Sequence, residues 1–531
     1  MKKRIVAFFM AALMAVGVIV TGNVQPVKVE AKNSEQTVTE TPKYIFLFIG
    51  DGMSTPQIEL TNYYLSANAN LQQSAKVSVD GKEKEILASK NNLTMMNLPV
   101  TGIAQTYDST SFAPDSASTA TSIATGYKTW SGSINVSEDF TQKYETIAEK
   151  LKKQKGYKIG IISSVNLNHA TPAAFYAHQK SRNNYYEIGL EMIASNFDYF
   201  AGGGLKKTKG SDGNQKDLYE LAEENGYTVV KTQAAAEALT TKDGKAIVID
   251  EHLADSDAMK YELDRKAGEW GLSDYVSKGI SLLSDGNDNG FFMMVEGGKI
   301  DWACHANDAA STITDTIAMD QALTEAYKFY EKHPSETLII VTGDHETGGL
   351  TIGYAGTDYD TFLTNINNQK ISFQEFNDEY VANYKKNQTS FRDVMKDVTA
   401  LFGLEAPEGA NLSVNVKDNA DSHPVSDKSG SLVLTDYELS KLKAAYQETM
   451  TRTGNEKDYS QEEYVLYGSY DPLTVTITHI LNNKSGINFS SYAHTGLPVE
   501  VLAQGAGANL FEGYYDNTVI YDNLAKLTGV N

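Results

Sequence analysis

The chain has 531 residues, a single cysteine and a formal net charge of −22. That acidity excludes the basic face a nucleic-acid binder presents, and a lone Cys304 excludes an intramolecular disulfide. An acidic surface repels phosphorylated molecules at long range, so a phosphate site here needs strong local positive charge, which points towards metal ions.

Lys2, Lys3 and Arg4 precede an apolar run from Ile5 to Val20, and Val29-Glu30-Ala31 offers a cleavage site. Residues 1–31 therefore read as a secretory signal peptide. The run falls short of the roughly 20 residues a spanning helix needs. No later segment is long and apolar enough, so no integral membrane association is expected. The mature protein is expected to be secreted, whether extracellular, periplasmic or attached to the cell wall. Residues 32–42, KNSEQTVTETP, are polar and read as a flexible lead-in to residues 43–531, a length that suits two domains or one large domain with insertions.

Five apolar runs read as buried strands: YIFLFIG (44–50), YKIGIISS (157–164), FFMMVEGG (291–298), TLIIVTG (337–343) and VEVLAQG (499–505). Between them, residues 144–154 and 311–333 carry apolar residues at helical spacing. The segment FAPDSASTATSIATG (112–126) predicts a helix with Asp115 or Ser116 at its N-terminus and Gly126 ending it. Near-continuous apolar strands alternating with helices predict an α/β fold. The expected form is a three-layer sandwich, a mostly parallel central sheet flanked by helices. A largely helical insertion spans about residues 355–485. Within it Ser390 caps a helix over 390–404, and Thr435 with Glu438 forms a capping box for a helix over 435–447.

Ligand sites in open α/β sheets lie beyond the carboxyl ends of the strands. Asp51 follows the first strand. Glu296 ends the 291–298 run, with Asp301 and His305 close behind, and Asp344-His345 follows the 337–343 run. His169 and Thr171 follow the 157–164 run. Taken singly, Asp51-Gly52 reads as a turn, and Cys304 as a small buried residue. Together, carboxylates and imidazoles gathered at apolar strand ends require cations to neutralise them. His with carboxylate suits zinc, and all-oxygen ligands suit magnesium. A serine at the start of the 112–126 helix, Ser116, would then face an anion-binding helix end.

These segments resemble the alkaline phosphatase family. The matching pieces are FIGDGM (48–53), PVTGIAQT (99–106), PDSASTATSIATG (114–126), NHATPAAFYAH with SR following (168–182), VEGGKIDWACH (295–305), TGDHETGG (342–349) and AHTG (493–496). The resemblance implies phosphate monoester hydrolysis through a phosphoserine, with two zinc ions and one magnesium. Ser116 would be the nucleophile and Arg182 the clamp on phosphate oxygens. Asp301, His305 and His494 would hold one zinc. Asp51, Asp344 and His345 would hold the other, and Asp51, Thr171 and Glu296 the third ion. A homodimer and a broad range of small phosphate monoesters are also implied.

In the best-known bacterial members an Asp and a Lys stand where this chain has His169 and Trp302. His169 is thus a further ligand candidate, direct or indirect, at the third site, and Trp302 a substrate-binding candidate. The missing lysine is expected to weaken phosphate binding. A sulfatase would carry x-Pro-x-Arg after its nucleophile, whereas Ser116 is followed by Ala-Ser-Thr-Ala. A phosphodiesterase usually has a threonine nucleophile and no arginine clamp. A third reading is a secreted phosphate- or metal-binding protein without turnover.

Overall fold

Strand β1 (Tyr44–Gly50) runs through the middle of a ten-stranded sheet. Successive side chains of a strand face opposite ways. Tyr44, Phe46 and Phe48 enter one core layer, and Ile45, Leu47 and Ile49 enter the other. Both faces are covered, which is why the run is apolar without alternation. The structure is a computed structural model that describes residues 41–70, 76–79, 82–85, 87–414, 429–452 and 459–531. The expected signal peptide and nearly all of the 32–42 lead-in lie outside the described residues.

The other strands of this sheet are β2 (Val100–Gln105), β3 (Lys158–Ser163), β4 (Tyr199–Gly202), β5 (Tyr227–Val230), β6 (Lys245–Ile249), β7 (Phe291–Glu296), β8 (Thr337–Gly343), β9 (Val499–Gly505) and β10 (Gly513–Asp516). Their order is β10-β2-β9-β8-β1-β7-β3-β4-β6-β5. All pairs from β8 to β5 are parallel. β9 runs antiparallel to both of its neighbours, and β10 pairs parallel with β2. The sheet is therefore mostly parallel, as expected, with a mixed edge that its apolar runs did not announce.

The helices used below are α1 (Thr55–Asn70), α2 (Ser116–Thr125), α3 (Ala170–Ala173), α4 (Leu272–Ser284), α5 (Lys299–His305), α6 (Ala309–Tyr330), α7 (Phe391–Phe402), α8 (Asp436–Thr451), α9 (Pro472–Lys484) and α10 (Thr518–Thr528). Residues of α1, α4 and α6 share the core layer of Phe46, and residues of α2 and α10 share that of Leu47. The result is three layers. Helices α7, α8 and α9 bury Val394, Leu442 and Ile477 in the Phe46 layer, and the described residues form one compact unit. No helix among the described residues is long and apolar enough to cross a membrane.

Helix starts follow their caps. Thr146 and Glu149 form a capping box, so that helix begins at Ile147 rather than at Tyr144, and its second half, Leu151–Lys155, is π-helical. Asp308 caps α6 through the Ser311 N–H, which starts it at Ala309. The Thr435–Glu438 box is present, and α8 runs on to Thr451. α2 ends at Gly126, whose φ of 78° is left-handed, and a Cβ there would lie 2.6 Å from the Tyr521 ring of α10.

Candidate active site

The parallel register assembles the site. Gly50 stands opposite Gly343, and Glu296 lies opposite both Ile49 and Ser163. Asp51, Asp344 and Glu296 therefore leave three adjacent strands at one edge. A Cβ on Gly343 would meet the Met53 carbonyl oxygen at 1.9 Å. Only glycine lets the Asp51 loop cross the end of β8 this closely. Gly52 N–H then donates to Asp344 Oδ1 at 3.1 Å. Helix α5 places Asp301 and His305 one turn apart, with His305 Nε2 3.4 Å from Asp301 Oδ2.

Three triads of potential ligands result: Asp301, His345 and His494; Asp51, Asp344 and His345; Asp51, His169 and Glu296. Within each, one ligand atom per residue lies within 4.8 Å of the others. His305 joins the first through Asp301 and through His494, whose Nε2 is 3.1 Å from its own. Thr171 joins the third by donating to Asp51 Oδ2 at 3.2 Å. Asp51 is common to two triads, and the fold brings all eight expected ligands together with His169.

Hydrogen bonds set the tautomers. His305 Nδ1 is 2.6 Å from the Tyr492 carbonyl, and His494 Nδ1 is 2.5 Å from the Pro114 carbonyl. Carbonyls only accept, so each Nδ1 carries a hydrogen and each Nε2, which offers a lone pair when the ring is neutral, faces the carboxylates. Thr347 Oγ1 donates to Asp301 Oδ1 at 2.5 Å and so accepts from His345 Nδ1 at 3.2 Å. His345 Nε2 is thereby aimed at Asp51 Oδ1 and Asp344 Oδ2, each 3.4 Å away. Imidazoles whose outer nitrogen is fixed by a carbonyl or hydroxyl are arranged as metal ligands are.

Electrostatics say the same. Burial, reinforced by neighbouring carboxylates, raises Asp51 well above the usual range, Glu296 to about 8 and Asp344 to about 7. For Asp301 burial acts in that direction too, but His305, through its charge and its hydrogen bond, and after it His494 outweigh burial and hold the group low. Burial pushes His345 and His169 down, His169 to about 3, so both rings are neutral. Glu296 Oε1 is buried without a hydrogen-bond partner. Carboxylates that hold protons for want of a counter-charge, together with converging imidazole lone pairs, fit divalent cations.

Ser116 opens α2, buried, with Oγ 3.2 Å from His345 Nε2 and 3.5 Å from Asp51 Oδ1. Asp115 caps the helix by accepting from Ser118 N–H at 3.1 Å. Arg182 is held beside it: NH1 donates to Asp115 Oδ2 at 2.8 Å and NH2 to His169 Nε2 at 3.1 Å. Arginine only donates, so His169 Nε2 is occupied, and its Nδ1 is buried without a partner. Ligation through His169 Nε2 would require Arg182 to let go. Trp302 makes aromatic contacts: its ring centroid lies 5.9 Å from that of His169 with the planes 77° apart, and Lys299 Nζ lies 4.8 Å from the same centroid. Cys304 is fully buried, the bland role expected of it.

Sequence reasoning missed Asp115 as the partner of Arg182, and Thr347 as the link between Asp301 and His345. It placed Glu346 at the same strand end as His345 but gave no role to this carboxylate, which takes hydrogen bonds from Gln57 at 2.8 Å and from Thr495. The last two lie inside TGDHETGG, and Asp115 is an N-cap, a position with its own preference for aspartate.

A ten-stranded sheet with a buried serine at a helix start and carboxylate–imidazole triads at its strand ends is the layout of a metal-dependent ester hydrolase. The chain belongs to the alkaline phosphatase family, whose model matches residues 42–530, and it is a phosphatase. Alkaline phosphatase 4 of Bacillus subtilis (strain 168) is 27% identical over 527 residues, covering 98% of this chain and 95% of that protein. Alkaline phosphatase 3 of the same organism is 26% identical, covering 100% and 98%. Among solved structures, the cold-active alkaline phosphatase of a psychrophilic Shewanella superposes with a TM-score of 0.68 at 25% identity, over 91% of this chain and 99% of that one. The Thermus thermophilus enzyme superposes with a TM-score of 0.71 at 22% identity, over 97% and 96%, and shares the fold.

Proposed function

We propose that this phosphatase hydrolyses small phosphate monoesters to an alcohol and inorganic phosphate through a phosphoserine on Ser116. The observation that carries the reading is the position of Ser116 Oγ, 3.2 Å from His345 Nε2, with Arg182 tied to the adjacent Asp115. The α2 N-terminus and the Arg182 fork both favour the phosphate dianion. In the first step the Ser116 Oγ–P bond forms, the ester P–O bond breaks, and Ser116 gives up its proton while the leaving oxygen gains one. In the second, water attacks phosphorus, the Oγ–P bond breaks and the hydroxyl is restored.

Two zinc ions and one magnesium are the ions this reading implies. Asp301, His305 and His494 would hold one zinc, and Asp51, Asp344 and His345 the other. Asp51, Thr171 and Glu296 would hold magnesium, with His169 beside it. When bound, such ions neutralise charge on phosphate and lower the pKa of hydroxyl groups. The protein's own part is to hold phosphorus in line with Ser116, which matters for a reaction whose work is positioning and charge neutralisation. Export after cleavage near Ala31 and assembly as a homodimer complete the proposal. The 355–485 insertion is proposed to be part of the catalytic domain, residues 43–531.

The test is hydrolysis of a chromogenic monoester and a matching diester by chelator-stripped protein refilled with zinc and magnesium. Monoester turnover that depends on the metals and exceeds diester turnover supports the proposal. A preference for the diester overturns it.

A further inference from the structure

We propose that Asp108 is a positioning residue of the phosphate site, holding the start of the serine helix and the arginine loop in register. The inference rests on the reading that Ser116 and Arg182 engage the phosphoryl group. Asp108 lies in the loop after β2 and is 4% exposed. Its Oδ1 accepts from the Thr110 and Ser111 N–H groups, both at 2.7 Å, and from Thr110 Oγ1 at 3.0 Å. Those bonds close a local turn and account for one oxygen only.

The second oxygen does something a turn does not need. Oδ2 accepts from Ser118 Oγ at 2.7 Å and from Ser131 Oγ. Ser118 belongs to the first turn of α2, and its backbone N–H donates at 3.1 Å to Oδ1 of Asp115, the carboxylate that holds Arg182. Ser131 precedes Gly132, whose carbonyl accepts the Arg182 N–H at 2.7 Å. One buried carboxylate thus ties together the helix that presents Ser116, the acid that holds the guanidinium and the loop that holds the Arg182 backbone. Hydrogen bonds to a charged acceptor are the stronger kind, so their loss should be felt at the clamp.

The test uses the full mature protein refilled with zinc and magnesium. Asp108→Asn keeps the size and Oδ1 of the turn but replaces the charged acceptor, and Ser131→Ala cuts the Arg182 arm alone. Inorganic phosphate affinity is read by calorimetry, alongside KM and kcat for a chromogenic monoester. Both variants should weaken phosphate binding and raise KM by roughly tenfold with a smaller effect on kcat, and Ser131→Thr should restore the wild-type values. Phosphate affinity and KM within twofold of wild type, with only the melting temperature lowered, would show a purely structural turn and overturn the inference. Should Asp108→Asn fail to fold, Ser131→Ala decides by the same criterion. Calorimetry reads the clamp even without turnover, so an inactive wild type counts against the catalytic reading and not against Asp108.

Discussion

His305 and His494 aim their Nε2 atoms at each other across 3.1 Å while backbone carbonyls hold both Nδ1 hydrogens. Two lone pairs at that distance repel unless a cation or an added proton lies between them. The folded protein is therefore expected to be strongly stabilised by divalent ions. A ligand that binds only the folded state at a hundred times its Kd contributes about 2.7 kcal/mol. Melting curves of chelator-stripped protein should move upward stepwise as zinc is restored. Coincident curves with and without zinc would contradict the reading of this pair.

Thr347 joins Asp301 to His345 through one hydroxyl. Thr347→Val keeps the shape and removes both bonds. Changes to partners that orient metal ligands typically cost 10–100-fold in metal affinity, and roughly that loss is expected in a zinc competition titration. Thr347→Ser should recover most of it.

Most of the candidate ligands were legible before the fold because Asp51, Thr171, Glu296, Asp301, His305, Asp344 and His345 end or follow apolar runs, and parallel strands deliver their ends to one edge. Asp51 and Asp344 are the clearest instance. His494 instead precedes the antiparallel β9 and was named only by the family resemblance. The restraints on those ligands were not legible. The carbonyls of Tyr492 and Pro114 have no side-chain signature, and the Asp115–Arg182 pair joins residues 67 positions apart. Among the strands, β4, β5 and β10 have only four residues each, too few for a pattern to rise above chance. β9 was legible as a strand, but its direction depends on partners that its own residues do not encode. In the insertion, Ser390 and Thr435 marked helix starts through their caps, while α9 escaped because its polar threonines are buried against other helices.

His479 of α9 donates from Nε2 to Asn307 Oδ1 at 2.9 Å, and burial, then Lys441, pushes its pKa down to about 4. An unfolded histidine titrates near 6.5. The folded value is the lower one, so the unfolded chain binds the proton first. Stability is untouched above about pH 6.5 and falls as pH drops towards 4, by about 3 kcal/mol at the lower end. Urea unfolding of metal-stripped protein should show His479→Gln losing less stability than wild type over that window. Parallel losses would contradict this assignment.

Trp302 places an uncharged indole beside His169 where an ammonium would attract phosphate. Trp302→Lys is expected to strengthen inhibition by inorganic phosphate by roughly tenfold, the effect of about 1.4 kcal/mol from a nearby opposite charge. Phosphate inhibition of the monoesterase gives the comparison, and equal inhibition would contradict the role assigned to Trp302.

The most direct measurement is covalent trapping on Ser116. Metal-refilled enzyme is mixed with a radiolabelled phosphate monoester, quenched in acid and digested, and the labelled peptide is sequenced. Label is expected on the peptide carrying Ser116 and none in Ser116→Ala, which should also lose turnover by several orders of magnitude. Turnover that persists in Ser116→Ala, or label on another residue, would contradict it.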